Sequence, residues 1–186
     1  MNMKRIVATL LALVMCFALV ACGKDKASKG GGYKDAIETL MDVRFGLESS
    51  RIEDMAPKAF WDALAKTGIT VKDVEEEFDD FYLGFSLEEE YGSDFETSYK
   101  ILEKEEVDKD DLEDFKEHLE DEFGISGSAV KSGYSLVVEL AVRGSEDERI
   151  TEAEIYAVQI GNAWYLLDED EDFYVESLVH VLFKYR

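Results

Sequence analysis

The chain has 186 residues, with 43 acids against 20 lysines and arginines and a net charge of −23. Such a surplus of acid excludes a nucleic-acid binder, because that binding rests on neutralising phosphates with basic side chains. An apolar share of 46% with 22 aromatic residues excludes a disordered chain, and two histidines exclude a multi-histidine zinc centre.

The first element is the N-terminus. Met1-Asn-Met-Lys-Arg5 is basic, Ile6 to Val20 is almost wholly apolar, and Leu19-Val20-Ala21-Cys22-Gly23 follows. A basic start, a short apolar run and small residues before a cleavage point make a secretory signal. The run is too short for a transmembrane helix, which needs about 20 residues. The cysteine directly after Ala21 makes the pattern a lipobox, and the segment resembles the signal of bacterial lipoproteins. That resemblance implies removal of residues 1–21, a diacylglycerol on Cys22, and a membrane-anchored location on the extracytoplasmic face of a bacterial envelope. Two acyl chains hold stably, at about 0.8 kcal/mol per buried CH₂, where a single chain is marginal. Cys16 leaves with the signal, so Cys22 becomes the only cysteine and no intrachain disulfide can form.

Residues 22–32, rich in glycine and carrying Lys24, Lys26 and Lys29, read as a flexible tether. The 154 residues from Tyr33 to Arg186 suit one domain, of net charge −27. A domain this acidic is repelled by anionic membrane, and a solvated, solubilising surface accounts for most of that charge. The partners it favours are cations and basic protein surfaces.

Helical spacing then dominates. Ala36, Ile37, Leu40, Met41, Phe45 and Leu47 predict a first helix. Pro57 fits the first turn of a second, with Phe60, Trp61, Leu64 and Ala65 inward and Gly68 as its stop. Thr70-Val-Lys-Asp73 reads as a capping box for a third, with Val71, Val74, Phe78, Phe81, Tyr82 and Phe85 inward and Gly92 closing the block. Tyr99–Val107 reads as a strand. Residues 108–123 return to helix through Leu112, Phe115, Leu119 and Phe123, stopped by Gly124. Tyr134, Leu136, Val138, Leu140 and Val142 alternate with more polar neighbours, the mark of a strand with one buried face. Residues 144–149 form a polar turn, and Ile150–Ile160 is the next strand. Gly161-Asn162 is a hairpin turn and Ala163–Leu167 the returning strand. Phe173–Tyr185 fits either a helix or a strand.

Helices followed by a strand meander, with Ile160-Gly-Asn-Ala-Trp-Tyr-Leu166 near its end, are similar to the nuclear-transport-factor-2-like superfamily and to the lipoproteins that carry such domains. The resemblance spans most of residues 33–167. It implies an α+β fold in which N-terminal helices pack against a curved, mainly antiparallel sheet, a cone often open at one end as a pocket. The helix at 108–123 is an insertion relative to that pattern. Trp61, Phe81, Tyr82, Phe85, Tyr134, Tyr156 and Trp164 are candidate pocket-lining residues, each read first as core.

Catalytic and metal signatures are absent from the sequence. It has no phosphate-binding glycine loop and no nucleophile elbow. His118 sits among acids and reads as a solvated helix residue; His180 reads as a dipole-compensating residue near the chain end. The acid runs at Asp108–Asp111 and Asp168–Asp172 fail the calcium-loop pattern. Glu113 and Phe173 stand where its glycine is required, and Leu119 and Val179 where its final glutamate is required. Helix N-terminal charge explains these runs, with loose cation binding as the alternative. No metal ligand, catalytic residue or cofactor is therefore assigned. The reading is a lipid-anchored binding or interaction module that captures a small ligand or a basic partner. The alternatives are an isomerase- or cyclase-type enzyme using a pocket acid and a tyrosine, and a structural accessory of an envelope complex.

Overall fold

A computed structural model describes residues 32–46, 48–82 and 86–168. Within them, helices precede a four-stranded antiparallel open sheet, so the fold is α+β. The lipobox, Phe85, His180 and the last predicted element lie outside the described residues.

Helix α1 spans Tyr33–Phe45 and buries Ile37, Leu40, Met41 and Val43, the stripe set by its 3.6-residue period. A 3₁₀ helix follows over Ser49–Met55, which the sequence reading did not anticipate. It closes on α1 through Arg51, which pairs with Asp42 and donates to Thr39 Oγ1 at 3.0 Å. Helix α2 is Lys58–Ala65, with Pro57 at its N-cap, one place earlier than the spacing implied. Phe60, Trp61 and Leu64 are buried, but Ala65 is exposed, because the helix ends there and turns away. Helix α3, Val71–Phe81, begins at the predicted capping box. The Asp73 amide donates to Thr70 Oγ1 at 3.3 Å and the Thr70 amide returns a bond to Asp73 Oδ2 at 2.7 Å. It stops well short of Gly92. A separate short helix, α4 (Leu87–Tyr91), starts from its own N-cap, Ser86, and ends at Gly92.

Strand β1, Glu96–Glu106, is followed by helix α5, Lys109–Phe123, a short 3₁₀ turn at Gly127–Ala129, and strands β2 (Val130–Arg143), β3 (Glu148–Ile160) and β4 (Ala163–Asp168). Asp108 caps α5 by accepting from the amides of Asp110 and Asp111 at 2.9 and 3.0 Å, which gives the first acid run a structural role. Gly124 ends α5 at φ +63°, and Gly161 turns the β3–β4 hairpin at φ +65°.

Strand pairing runs β1-β2-β3-β4. Alternation along β2 places Leu136, Val138, Leu140 and Val142 on one face, each no more than 1% exposed. The register sets Tyr99 and Ile101 of β1 and Ala153 and Ile155 of β3 beside them. Helix α1 covers this face, with Tyr33 edge-on to Tyr134 and Trp164. Each large apolar side chain so buried contributes roughly 1.5–3 kcal/mol. Among the described residues, the opposite face is covered at one end only. There Phe115 of α5 meets Tyr156 edge-on at 5.2 Å, and Val158 and Tyr165 are buried. Its other end carries Ser98, Lys100, Glu139 and Glu152 and leaves Ile150 48% exposed. Glu139, half-buried, lies on that face 3.7 Å from Arg143, turned away from the Tyr134 row. Edge strand β1 is studded with charge and interrupted by a bulge at Leu102, two devices that discourage further strand pairing.

Candidate functional site: an acidic groove beside α5

Among the described residues, the aromatic side chains singled out from the sequence do not form one wall. Trp61 is buried against Phe60, and its indole N–H donates to the Glu53 carbonyl at 2.9 Å. Phe81 and Tyr82 cluster with Phe78 at the end of α3. Tyr134 and Trp164 stack at 5.4 Å and 10° on the α1 face. Tyr156 faces the other way, towards Phe115. Alternation along β2 and β3 forces this split, because Tyr156 pairs with Ser135 and so points opposite to Tyr134. Trp164 does border a cavity, with Ala36, Thr39, Asp54 and Met55, but its volume is about 10 Å³, room for one water at most.

One acid–tyrosine pair that the fold brings together is Glu38 and Tyr99. The Tyr99 hydroxyl donates to Glu38 Oε1 at 3.5 Å, and the pair lies at the surface. Burial of the ring, then the neighbouring Glu38 carboxylate, pushes the phenol above its ordinary value, so it stays a neutral donor.

A larger opening lies elsewhere. Glu113, Lys116, Glu117, Glu120 and Asp121 of α5 face Gly127, Ser128 and Val130 across a groove of about 580 Å³. The helix is amphipathic, with Leu119 in the core and Leu112, Phe115 and Phe123 packed against it, so its acids are left on the outward side. Gly124 reverses the chain, Ile125 is buried, and the Gly127 amide donates to Glu120 Oε2 at 3.1 Å, which fixes the second wall. A Cβ on Gly127 would lie 3.1 Å from Lys116 Cβ, so any larger residue there would push the two walls apart by a few tenths of an ångström. Lys116 is tied to Glu113 at 2.9 Å, leaving Glu117 and Asp121 exposed along the rim. A groove of this size lined by carboxylates suits the cationic ends of lysine or arginine side chains.

No family model, curated protein or solved structure matches the chain.

The groove residues were legible only as the polar face of a predicted helix, at the i, i+3, i+4, i+7 and i+8 spacing of 113, 116, 117, 120 and 121. The opposing wall was not, because nothing in Ile125-Ser-Gly-Ser-Ala129 signals that it folds back onto α5. His118, read as solvated, is half-buried, since it precedes the core residue Leu119 and follows Phe115 by one turn. Among the described residues no group of three or more histidine, cysteine or carboxylate side chains is arranged to hold a metal ion. No described helix is long and apolar enough to cross a membrane.

Proposed function

We propose that this protein is a lipid-anchored, extracytoplasmic binding module of a bacterial envelope, and that it docks a basic partner in the groove beside α5. The observation that carries the reading is that groove, about 580 Å³ in volume and lined by Glu113, Glu117, Glu120 and Asp121. The chain's net charge of −23 acts in the same direction, speeding encounter with cationic surfaces. Cys22 bears the diacylglycerol, and the sheet with its preceding helices is a variant of the nuclear-transport-factor-2-like cone with α5 inserted between β1 and β2. A basic protein segment is favoured over a small apolar ligand, because the aromatic side chains are spent on separate packing contacts and the cavity beside Trp164 is too small for one.

The test is binding of a lysine- and arginine-rich peptide to the wild-type chain and to the E117K/D121K variant. Both sites are exposed, and lysines towards the end of a helix complement its dipole, so the fold is retained. Affinity falls about tenfold or more in the variant, from roughly 1.4 kcal/mol of lost attraction. Equal binding by both chains refutes the site.

A further inference from the structure

We infer that the end of the sheet where the chain enters the domain, built from Tyr33, Tyr134, Trp164 and Lys104, is the face with which the anchored domain rests on the headgroup layer of the membrane. This rests on the lipid-anchor reading of Cys22 and adds an orientation to it.

Three observations converge. The first is chemical. Tyr33, Tyr134 and Trp164 are half-buried and in mutual contact at ring separations of 5.2 to 5.9 Å. The Lys104 ammonium lies over two of these rings, 3.6 Å from the Tyr134 centroid and 4.4 Å from that of Tyr33. Tyrosine and tryptophan with a lysine are the side chains that settle at a membrane–water interface, apolar body inward and polar edge outward. Leu102, 37% exposed, stands two residues from Lys104 on the same edge strand.

The second is where the chain enters. Tyr33 opens α1, and only residues 23–32 separate it from Cys22. Ten residues reach at most about 33–36 Å even when fully extended. A domain of this size is about 35–40 Å across. The anchor therefore holds the Tyr33 end against the bilayer and keeps the far end out of reach.

The third is charge placement. Lys58, Lys72 and Lys116 are each held by a carboxylate. Lys104 instead sits on aromatic rings, Lys131 bonds the Asn162 side-chain oxygen at 3.2 Å, and exposed Lys34 adjoins Tyr33. Glu103, Glu105 and Glu106 still flank Lys104. The attraction is accordingly short-range and aromatic, and zwitterionic headgroups suit it better than anionic ones.

The two tryptophans provide the readout. Trp61 is 5% exposed inside the protein, whereas Trp164 is at the proposed face. The full-length chain, recovered with its anchor, is reconstituted into phosphatidylcholine vesicles containing brominated acyl chains, and the lipid on Cys22 is checked by mass spectrometry. Wild-type emission is quenched by up to about half, the share of one of two tryptophans at an interfacial position. Quenching falls at least twofold in K104E and is unchanged in K72E, both substitutions at exposed positions that leave the core intact. Anchored protein without quenching, or with equal quenching in K104E, overturns the docking face and leaves the anchor standing. An unmodified Cys22 overturns the anchor and this inference with it.

Discussion

Gly144 makes the sharpest test of how the sheet is joined to the helices. It follows β2 and lies against the end of α4. A Cβ placed there would be 1.8 Å from the Tyr91 carbonyl oxygen and 2.6 Å from its carbon. Neither atom belongs to a side chain that can swing aside. Relief requires the β2–β3 turn to move away from α4, and that turn is held by the Glu146 amide donating to the same Tyr91 oxygen at 3.1 Å. Beneath it lies a small second core of Leu87, Tyr91 and Val142, with Phe45 and Phe95 packed against it. Overpacking costs about 1–3 kcal/mol, and loss of the backbone hydrogen bond adds about 1 kcal/mol. Gly144→Ala is therefore expected to destabilise by about 2–4 kcal/mol, lowering the melting temperature by about 10 °C at the usual 2–4 °C per kcal/mol. Gly161→Ala is the comparison, because a Cβ there meets nothing within 4 Å and only the φ of +65° is strained. That strain costs about 1 kcal/mol. Urea denaturation followed by tryptophan fluorescence reads both. A Gly144→Ala midpoint no lower than that of Gly161→Ala would refute the close contact between α4 and the β2–β3 turn.

Thr70→Ala removes the capping box of α3 and is expected to cost about 1 kcal/mol, read as a lower urea midpoint at unchanged slope. The Asp94 carboxyl is held below its ordinary 3.8 by the Ser145 hydroxyl and amide, and that of Asp73 by the Thr70 amide and hydroxyl. Their contribution is thus complete above about pH 4 and is lost as pH falls through the lower folded values. Asp94→Asn should flatten that acid limb of the stability–pH curve; an unchanged limb would remove Asp94 from the account. Phe78→Ala empties a fully buried site beside Tyr82 and is expected to cost about 3–5 kcal/mol in the same denaturation assay.

The parts of the fold that local physics decides were readable in the sequence. The Thr70–Asp73 box, the stripe through Leu119, the Gly124 stop, the alternation from Tyr134 to Val142 and the Gly161-Asn162 turn each appear where the residues require them. The elements that were missed are fixed at a distance. The 3₁₀ helix at Ser49–Met55 has little helical periodicity, and it is held by Arg51 reaching Asp42 and Thr39 on α1. Tyr134 and Tyr156 look equivalent as strand aromatics, yet pairing register sends them to opposite faces, so these two do not share a wall. The groove beside α5 has the same character. Its acids follow a helical period, but the wall that turns them into a groove depends on Gly127 closing against Lys116 and Glu120.

The central claim is that the α5 groove binds basic groups. Its most direct test is titration of the isotope-labelled chain with a lysine- and arginine-rich peptide, following backbone amide chemical shifts. The account predicts saturable shifts concentrated on residues 113–121 and 127–130, largely lost in E117K/D121K. Shifts spread evenly over the acidic faces of α3, α4 and α5, or centred away from the groove, would contradict it.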